Sequence, residues 1–302
     1  MRRPQSLARQ VVWGRLPASQ PSLPFARRES SIVTDRLTWL APASLEEALE
    51  LRAEWGEDAT VVAGGTFVGI LLNQRLLAPA AFLSLRGVAE LGGIEANGEL
   101  RLGAMTTHRA VERSARVRER WPALAHAFEL VATPRVRNQA TVGGVLADAD
   151  YASDPPSMLC ALGARAVASS RSGTREIPIE ELIVGHYETS LRADELITEV
   201  RVPGGIERSA YRKFRTRSHE DRPCVAVAVA LAGGRLRVVV GAVSGRPQLF
   251  PEICELGIGA AEEIGRRYAE LIDAISDLRG SAEYRRRVVA VEVRRALEEL
   301  AP

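Results

Sequence analysis

Residues 59–66, Ala-Thr-Val-Val-Ala-Gly-Gly-Thr, read as a short β-branched strand that ends in a glycine pair. The apolar run 67–76 that follows reads as a helix, with Thr66 placed to cap it. A strand, a sharp turn and a helix start bring consecutive backbone amides and a positive helix end to one point, which suits a diphosphate. About 75 residues on, Ala140-Thr-Val-Gly-Gly-Val-Leu-Ala147 repeats the pattern and predicts a second strand end and turn. Two such loops would grip one diphosphate between them. In a chain with 25 glycines, either pair alone also fits an ordinary turn. Neither pair has the spacing of a Rossmann fingerprint or a P-loop, so both of those readings fail.

Outward from these loops the pattern alternates short strands and helices, predicting an α+β fold. Ser44 with Glu47 three residues on marks a capping-box helix over 44–54. Strands are expected at 59–62, 81–85 and 100–105, and helices at 109–120 and 123–132 with a break at Trp121-Pro122. A short helix at 156–163 and a strand at 164–169 follow, and this first part ends near Pro203. The remainder changes character. Runs at 209–216, 225–232 and 236–243 predict a three-stranded antiparallel sheet with a Gly233-Gly234 hairpin, backed by Glu/Arg-rich helices at 260–278 and 281–300. The expected division is an extension over 1–35, a domain over 36–204 and a second domain over 205–302.

Composition supports this and excludes other classes. A chain of 302 residues, 46% hydrophobic, can bury a core large enough for two domains. Its 40 basic and 38 acidic residues leave a formal charge of +2, so no electrostatic footprint argues for nucleic acid. No apolar run approaches the ~18 residues of a membrane span. Residues 1–35 are rich in Arg, Pro and Ser without apolar periodicity and read as a disordered extension or an over-extended start. They lack the apolar stretch of a secretory signal, so the expected location is cytoplasmic. Cys160, Cys224 and Cys254 sit in apolar contexts and read as buried free thiols. They are too few for an iron–sulfur cluster, so any such centre belongs to another chain. His108, His126, His186 and His219 show no metal-ligand spacing and read as surface or partly packed histidines.

Taken in order, several segments resemble one family. The Ala-Gly-Gly-Thr and Thr-Val-Gly-Gly segments, Leu100-Arg-Leu-Gly-Ala-Met-Thr-Thr-His108, Thr133-Pro-Arg-Val-Arg-Asn138 and Asp154-Pro155 are similar to the flavoprotein (medium) subunit of the molybdenum hydroxylases. So are Asp194-Glu-Leu-Ile-Thr-Glu-Val-Arg-Val-Pro203, Ala210-Tyr-Arg-Lys-Phe214 and Gly280-Ser-Ala-Glu-Tyr-Arg-Arg-Arg287. That group includes the aerobic carbon monoxide dehydrogenases and the xanthine dehydrogenases. The resemblance runs from about Leu37 to the end.

The resemblance implies a two-part FAD-binding domain of the p-cresol methylhydroxylase/vanillyl-alcohol oxidase type and a carbon monoxide dehydrogenase flavoprotein C-terminal domain. It implies non-covalent FAD, with a [2Fe-2S] centre and the molybdenum cofactor on partner subunits: a small iron–sulfur chain and a large molybdenum chain. Residue by residue, Ala63, Gly64, Gly65 and Thr66 would hold the diphosphate, with Val61 and Val62 lining the approach and Gly69 letting the first helical turn lie close. Thr141, Gly143 and Gly144 would form a second wall. Asp154 would accept hydrogen bonds from sugar hydroxyls, Ile197 would pack on the flavin and Lys213 would reach its ring system. Plainer roles exist beside these: Asp154 as a turn or helix cap, Lys213 in solvent, Asp221 paired with Arg217 or another nearby Arg. Val145 departs from the polar residue many members carry after the second glycine pair.

No nucleophile elbow, catalytic cysteine context or carboxylate dyad is present, so a bound cofactor would carry the chemistry. The first expectation is therefore an FAD-binding oxidoreductase subunit that relays electrons from an iron–sulfur/molybdenum partner to an external acceptor. A stand-alone FAD-dependent oxidase or dehydrogenase and a flavin-free scaffold subunit share the expected fold.

Overall fold

The computed structural model describes residues 37–218 and 220–301. The expected extension over 1–35 and His219 lie outside the described residues. Three parallel strands open the described chain. β1 (Thr38–Leu40), β2 (Ala59–Val62) and β3 (Ala81–Ser84) pair in the order β1-β3-β2, connected by helices α1 (Leu45–Trp55) and α2 (Thr66–Asn73). The Ser44 hydroxyl accepts from the Glu47 amide and caps α1, while the Glu47 carboxylate reaches back to the Ala43 amide at 2.8 Å. All four residues of the central strand β3 are buried, as a parallel strand covered on both faces requires.

A five-stranded antiparallel sheet follows. β4 (Ile94–Asn97) and β5 (Glu99–Gly103) form one edge, and β6 (Arg165–Ser170) and β7 (Gly173–Pro178) the other. β10 (Leu196–Val202) lies between them, giving the order β4-β5-β10-β6-β7. The helical segment between β5 and β6 holds α3 (His108–Arg113), α4 (Ala115–Arg120), α5 (Pro122–Glu129), α6 (Pro134–Arg137), α7 (Val142–Ala147) and α8 (Asp154–Ala161). The single helix expected over 109–120 is broken at Ser114, whose extended backbone ends α3 and whose hydroxyl caps α4. The break at Trp121-Pro122 stands, with Pro122 opening α5. A short helix α9 (Ile179–Leu182) and the two-stranded β8 (Ile183–Gly185) and β9 (Glu188–Thr189) complete this part.

The C-terminal sheet has four strands, not three. β11 (Ile206–Phe214), β12 (Val225–Ala232) and β13 (Arg235–Gly241) are joined by the short β14 (Gln248–Leu249). Gly233 and Gly234 both take positive φ, 54° and 71°, the conformation a two-residue hairpin of this twist needs. After α10 (Pro251–Cys254), helix α11 (Ala261–Leu271) stops well short of the expected residue 278. The chain instead turns around Asp277, whose carboxylate accepts from the Arg279 amide, Tyr151 and Arg285. Helix α12 (Ala282–Leu300) closes the chain, with the Ser281 hydroxyl capping it.

The Val/Ala alternation of β12 joins these parts. Val225, Val227 and Val229 face a core built with α11 and α12, while Ala226, Ala228 and Ala230 face the core that contains α8. Small residues on that second face let a helix lie close. Gly241 on β13 does the same, since a Cβ there would sit 1.9 Å from the Ser157 hydroxyl of α8. The sheet is thus packed on both faces, and β11 lies where its side chains reach the N-terminal end of α8.

Candidate functional site

A cavity of about 950 Å³ is bounded by the first glycine loop, the inner face of α7, the start of α8, strand β10 and Lys213 of β11. That is at the upper end of the usual range for a small-molecule or cofactor site. Of the residues expected to bind, Val61, Ala63, Gly64, Gly65, Thr66, Thr141, Gly143, Gly144, Asp154, Ile197 and Lys213 border it. Val62 and Gly69 do not. A Val62 methyl lies near Gly65, and beyond the helix's own backbone no atom lies within 4 Å of where a Gly69 Cβ would be, so no close approach requires glycine there.

The first loop is built as the strand–turn–helix pattern predicts, with one correction. Gly65, at φ 72°, is the N-cap of α2, and Thr66 is its first helical residue, so the Thr66 hydroxyl does not cap the helix. The backbone N–H groups of Gly64, Gly65, Thr66, Phe67 and Val68 make no hydrogen bond among the described residues. The first bonded amide is Gly69, 2.9 Å from the Gly65 carbonyl. Five consecutive free donors at the positive end of a helix fit a doubly charged diphosphate. Gly64 has a further reason to be glycine: its Cβ would sit 2.0 Å from the Gln139 carbonyl. The loop is therefore pressed directly onto the approach to the second glycine pair.

The second pair is not a loop at a strand end. Thr141 is an N-cap, and Gly143 and Gly144 lie in the first turn of α7. Their amides are used inside the protein: Gly143 N–H donates to the Ala104 carbonyl at 2.8 Å and Gly144 N–H to the Thr141 hydroxyl at 3.1 Å. What this wall supplies is shape. A Cβ on Gly143 would lie 2.7 Å from the Ala104 Cβ, so glycine lets α7 seat against the end of β5.

Asp154 and Lys213 meet at one point. Asp154 is 3% exposed, accepting from the Tyr211 hydroxyl at 2.8 Å and from Lys213 Nζ at 2.9 Å. Lys213 also donates to the Leu130 carbonyl at 2.8 Å, and its side chain is buried, so it is not a solvated surface lysine. Burial lifts the Asp154 carboxyl above the usual carboxylate range, and Lys213 and Tyr211 oppose that rise. Burial likewise lowers the Lys213 ammonium, and Asp154 opposes that. Asp221 is not paired with Arg217 through any bond among the described residues; its carboxylate accepts from the Arg222 amide.

Three further groups border the cavity. His108, expected at the surface or partly packed, is fully buried: Nε2 is 3.2 Å from the Thr141 carbonyl, the ring lies edge-on to Phe128, and Nδ1 has no partner among the described residues. Burial holds it neutral, with a pKa of about 4. Asp148 stands on the same face of α7 as Thr141, Gly144 and Val145, a 3/4 spacing that could have been read from the sequence had the segment been taken as a helix. Phe67 and Tyr187 stack at 5.5 Å between ring centres. Tyr187 holds a positive φ of 56°, a strained conformation for a bulky residue.

Among the described residues no helix is long and apolar enough to cross a membrane. Residues 34–205 match the model of the FAD binding domain in molybdopterin dehydrogenase, and residues 209–300 that of the CO dehydrogenase flavoprotein C-terminal domain. The nicotine 6-hydroxylase medium subunit of Paenarthrobacter nicotinovorans is 35% identical over 274 residues, covering 87% of this chain and 96% of the relative. The carbon monoxide dehydrogenase medium chain of Hydrogenophaga pseudoflava is 30% identical over 285 residues, covering 88% and 97%. Among solved structures, a chain of quinoline 2-oxidoreductase from Pseudomonas putida 86 superposes with a TM-score of 0.80 at 30% identity, covering 87% of this chain and 96% of that one.

Proposed function

The chain belongs to the family of FAD-binding medium subunits of the molybdenum hydroxylases, and from that premise we propose how its residues serve an FAD-dependent oxidoreductase. The observation that carries the reading is the run of five unpartnered amides from Gly64 to Val68 on the cavity wall. These amides and the positive end of α2 hold the FAD diphosphate, with no covalent link. Ala63 and Val61 line the approach, Thr141 offers its hydroxyl proton, and Gly143 and Gly144 keep α7 close enough to close the far side. Ile197 gives the cofactor an apolar surface. Asp154 has lone pairs left for a cofactor hydroxyl after binding Tyr211 and Lys213, and Lys213 has one N–H left to direct into the cavity. Bound there, FAD supplies the one- and two-electron exchange.

The chain works with an iron–sulfur small subunit and a molybdenum large subunit, whose cofactors feed electrons to the FAD, and an external acceptor removes them. We assign substrate choice to the molybdenum subunit, residues 36–204 to FAD binding and 205–302 to a C-terminal domain that delivers Lys213 and Tyr211. We place the protein in the cytoplasm. Titration of the flavin-stripped chain with FAD, followed by flavin fluorescence, tests the reading: saturable binding of one FAD per chain supports it, and none opposes it. Co-purification of iron and molybdenum separates the relay subunit from a stand-alone flavoprotein.

A further inference from the structure

Four positions of the α7 segment border the cavity at helical spacing: Thr141, Gly144, Val145 and Asp148. Asp148 brings the one ionisable side chain of that face. Its carboxylate makes no hydrogen bond or ion pair among the described residues, and Arg222, the cation that influences it, binds Asp150 at 2.7 Å. Three features oppose its ionisation. It is partly buried, it lies close to the Asp150 carboxylate, and it is the C-cap of α7, at the negative end of the helix. Burial first and Asp150 second push its carboxyl up to about 7, against the pull of Arg222. The elements packed on α7 are β5, β10 and α8. From these elements the charged lining groups are Arg192 and Glu195 ahead of β10 and Asp154 of α8, itself bound to Lys213; the wall also carries Asp150, Glu220, Asp221, Arg222 and Arg279. β5 contributes no charged lining group.

Resting on the FAD reading above, we propose that Asp148 is a cofactor-contacting residue that acts as a protonated acid, donating a hydrogen bond to a neutral acceptor atom of FAD. A carboxylic acid kept neutral is a donor that a carboxylate is not, and the cofactor's diphosphate adds another charge against ionisation. Binding then requires the protonated form, and ionisation of Asp148 removes the donor while setting an anion against the ligand.

The test is FAD affinity of the flavin-stripped full chain at pH 6 and pH 8, read by quenching of flavin fluorescence, for the wild type, Asp148→Asn and Asp148→Leu. The wild type binds about tenfold more weakly at pH 8, as expected for a required proton with a midpoint near 7. Asp148→Asn keeps an N–H donor that cannot ionise, and its affinity stays within about twofold across the range. Asp148→Leu is weak at both values. If that variant fails to fold by circular dichroism, the asparagine comparison decides alone. Equal wild-type affinity at the two values, or the same loss in Asp148→Asn as in the wild type, overturns the proposal. Failure of both the wild type and Asp148→Asn to bind at pH 6 overturns the FAD reading itself.

Discussion

Lys213 Nζ lies 2.9 Å from Oδ2 of Asp154, a residue 59 positions earlier in the chain, and both side chains are almost wholly buried. The pair ties β11 to the start of α8 beside the cavity, with the Tyr211 hydroxyl bonded to Asp154 and the Leu130 carbonyl to Lys213. Removing the cation leaves a carboxylate buried with one donor. Lys213→Met is expected to lower the unfolding free energy by about 3 kcal/mol, measured by denaturant titration. Lys213→Met combined with Asp154→Asn is expected to cost less than Lys213→Met alone, because no uncompensated charge remains.

The first glycine loop separates two reasons for glycine. Gly64→Ala drives a Cβ into the Gln139 carbonyl, at 2.0 Å, so the loop must part from the segment before α7. We expect a loss of about 1–3 kcal/mol in stability and at least about tenfold in FAD affinity. Gly69→Ala meets open space inside a helix and is expected to stabilise by about 0.5–1 kcal/mol with FAD affinity unchanged. Parallel denaturation and FAD titration of the two variants check both.

His108 gives the fold a pH dependence of known sign. Burial lowers its pKa from 6.5 to about 4, so between these values the unfolded chain binds a proton that the native chain does not. The stability it contributes is fully present above pH 6.5 and is lost as the pH falls towards 4, by about 3 kcal/mol in all. The difference in unfolding free energy between the wild type and His108→Gln, followed from pH 7 to pH 4, is expected to show that slope. A constant difference would contradict it.

Val145 presents a half-buried apolar side chain on the cavity face of α7. Val145→Asn adds an amide able to bond a polar cofactor atom, and FAD affinity is expected to rise about fivefold, the equivalent of one net hydrogen bond of about 1 kcal/mol. Isothermal titration of both proteins with FAD measures it.

The strand–turn–helix at 59–73 was legible because every signal is local: β-branched residues, a glycine pair, then an apolar run. The Val/Ala alternation over 225–232 likewise announces a strand, though not that its two faces meet different cores. The second glycine pair was misread because Ala-Thr-Val followed by Gly-Gly carries strand and turn signals. What makes it helical is distant: the Ala104 carbonyl and Cβ, onto which Gly143 packs, and the Thr141 hydroxyl that caps it. The partners of Asp154 were hidden for the same reason, since only the folding of the C-terminal sheet onto α8 brings Tyr211 and Lys213 to it. The complete burial of His108 goes beyond the surface or partly packed position its sequence suggests, because nothing local foretells that Thr141 will cover it.

The free amides of residues 64–68 are the proposed grip on the FAD diphosphate. The most direct measurement is the visible absorbance spectrum of the purified chain before and after heat denaturation, with the released cofactor identified by chromatography. A yellow protein that releases one FAD per chain on unfolding is expected. A colourless protein that also takes up no added FAD would contradict it.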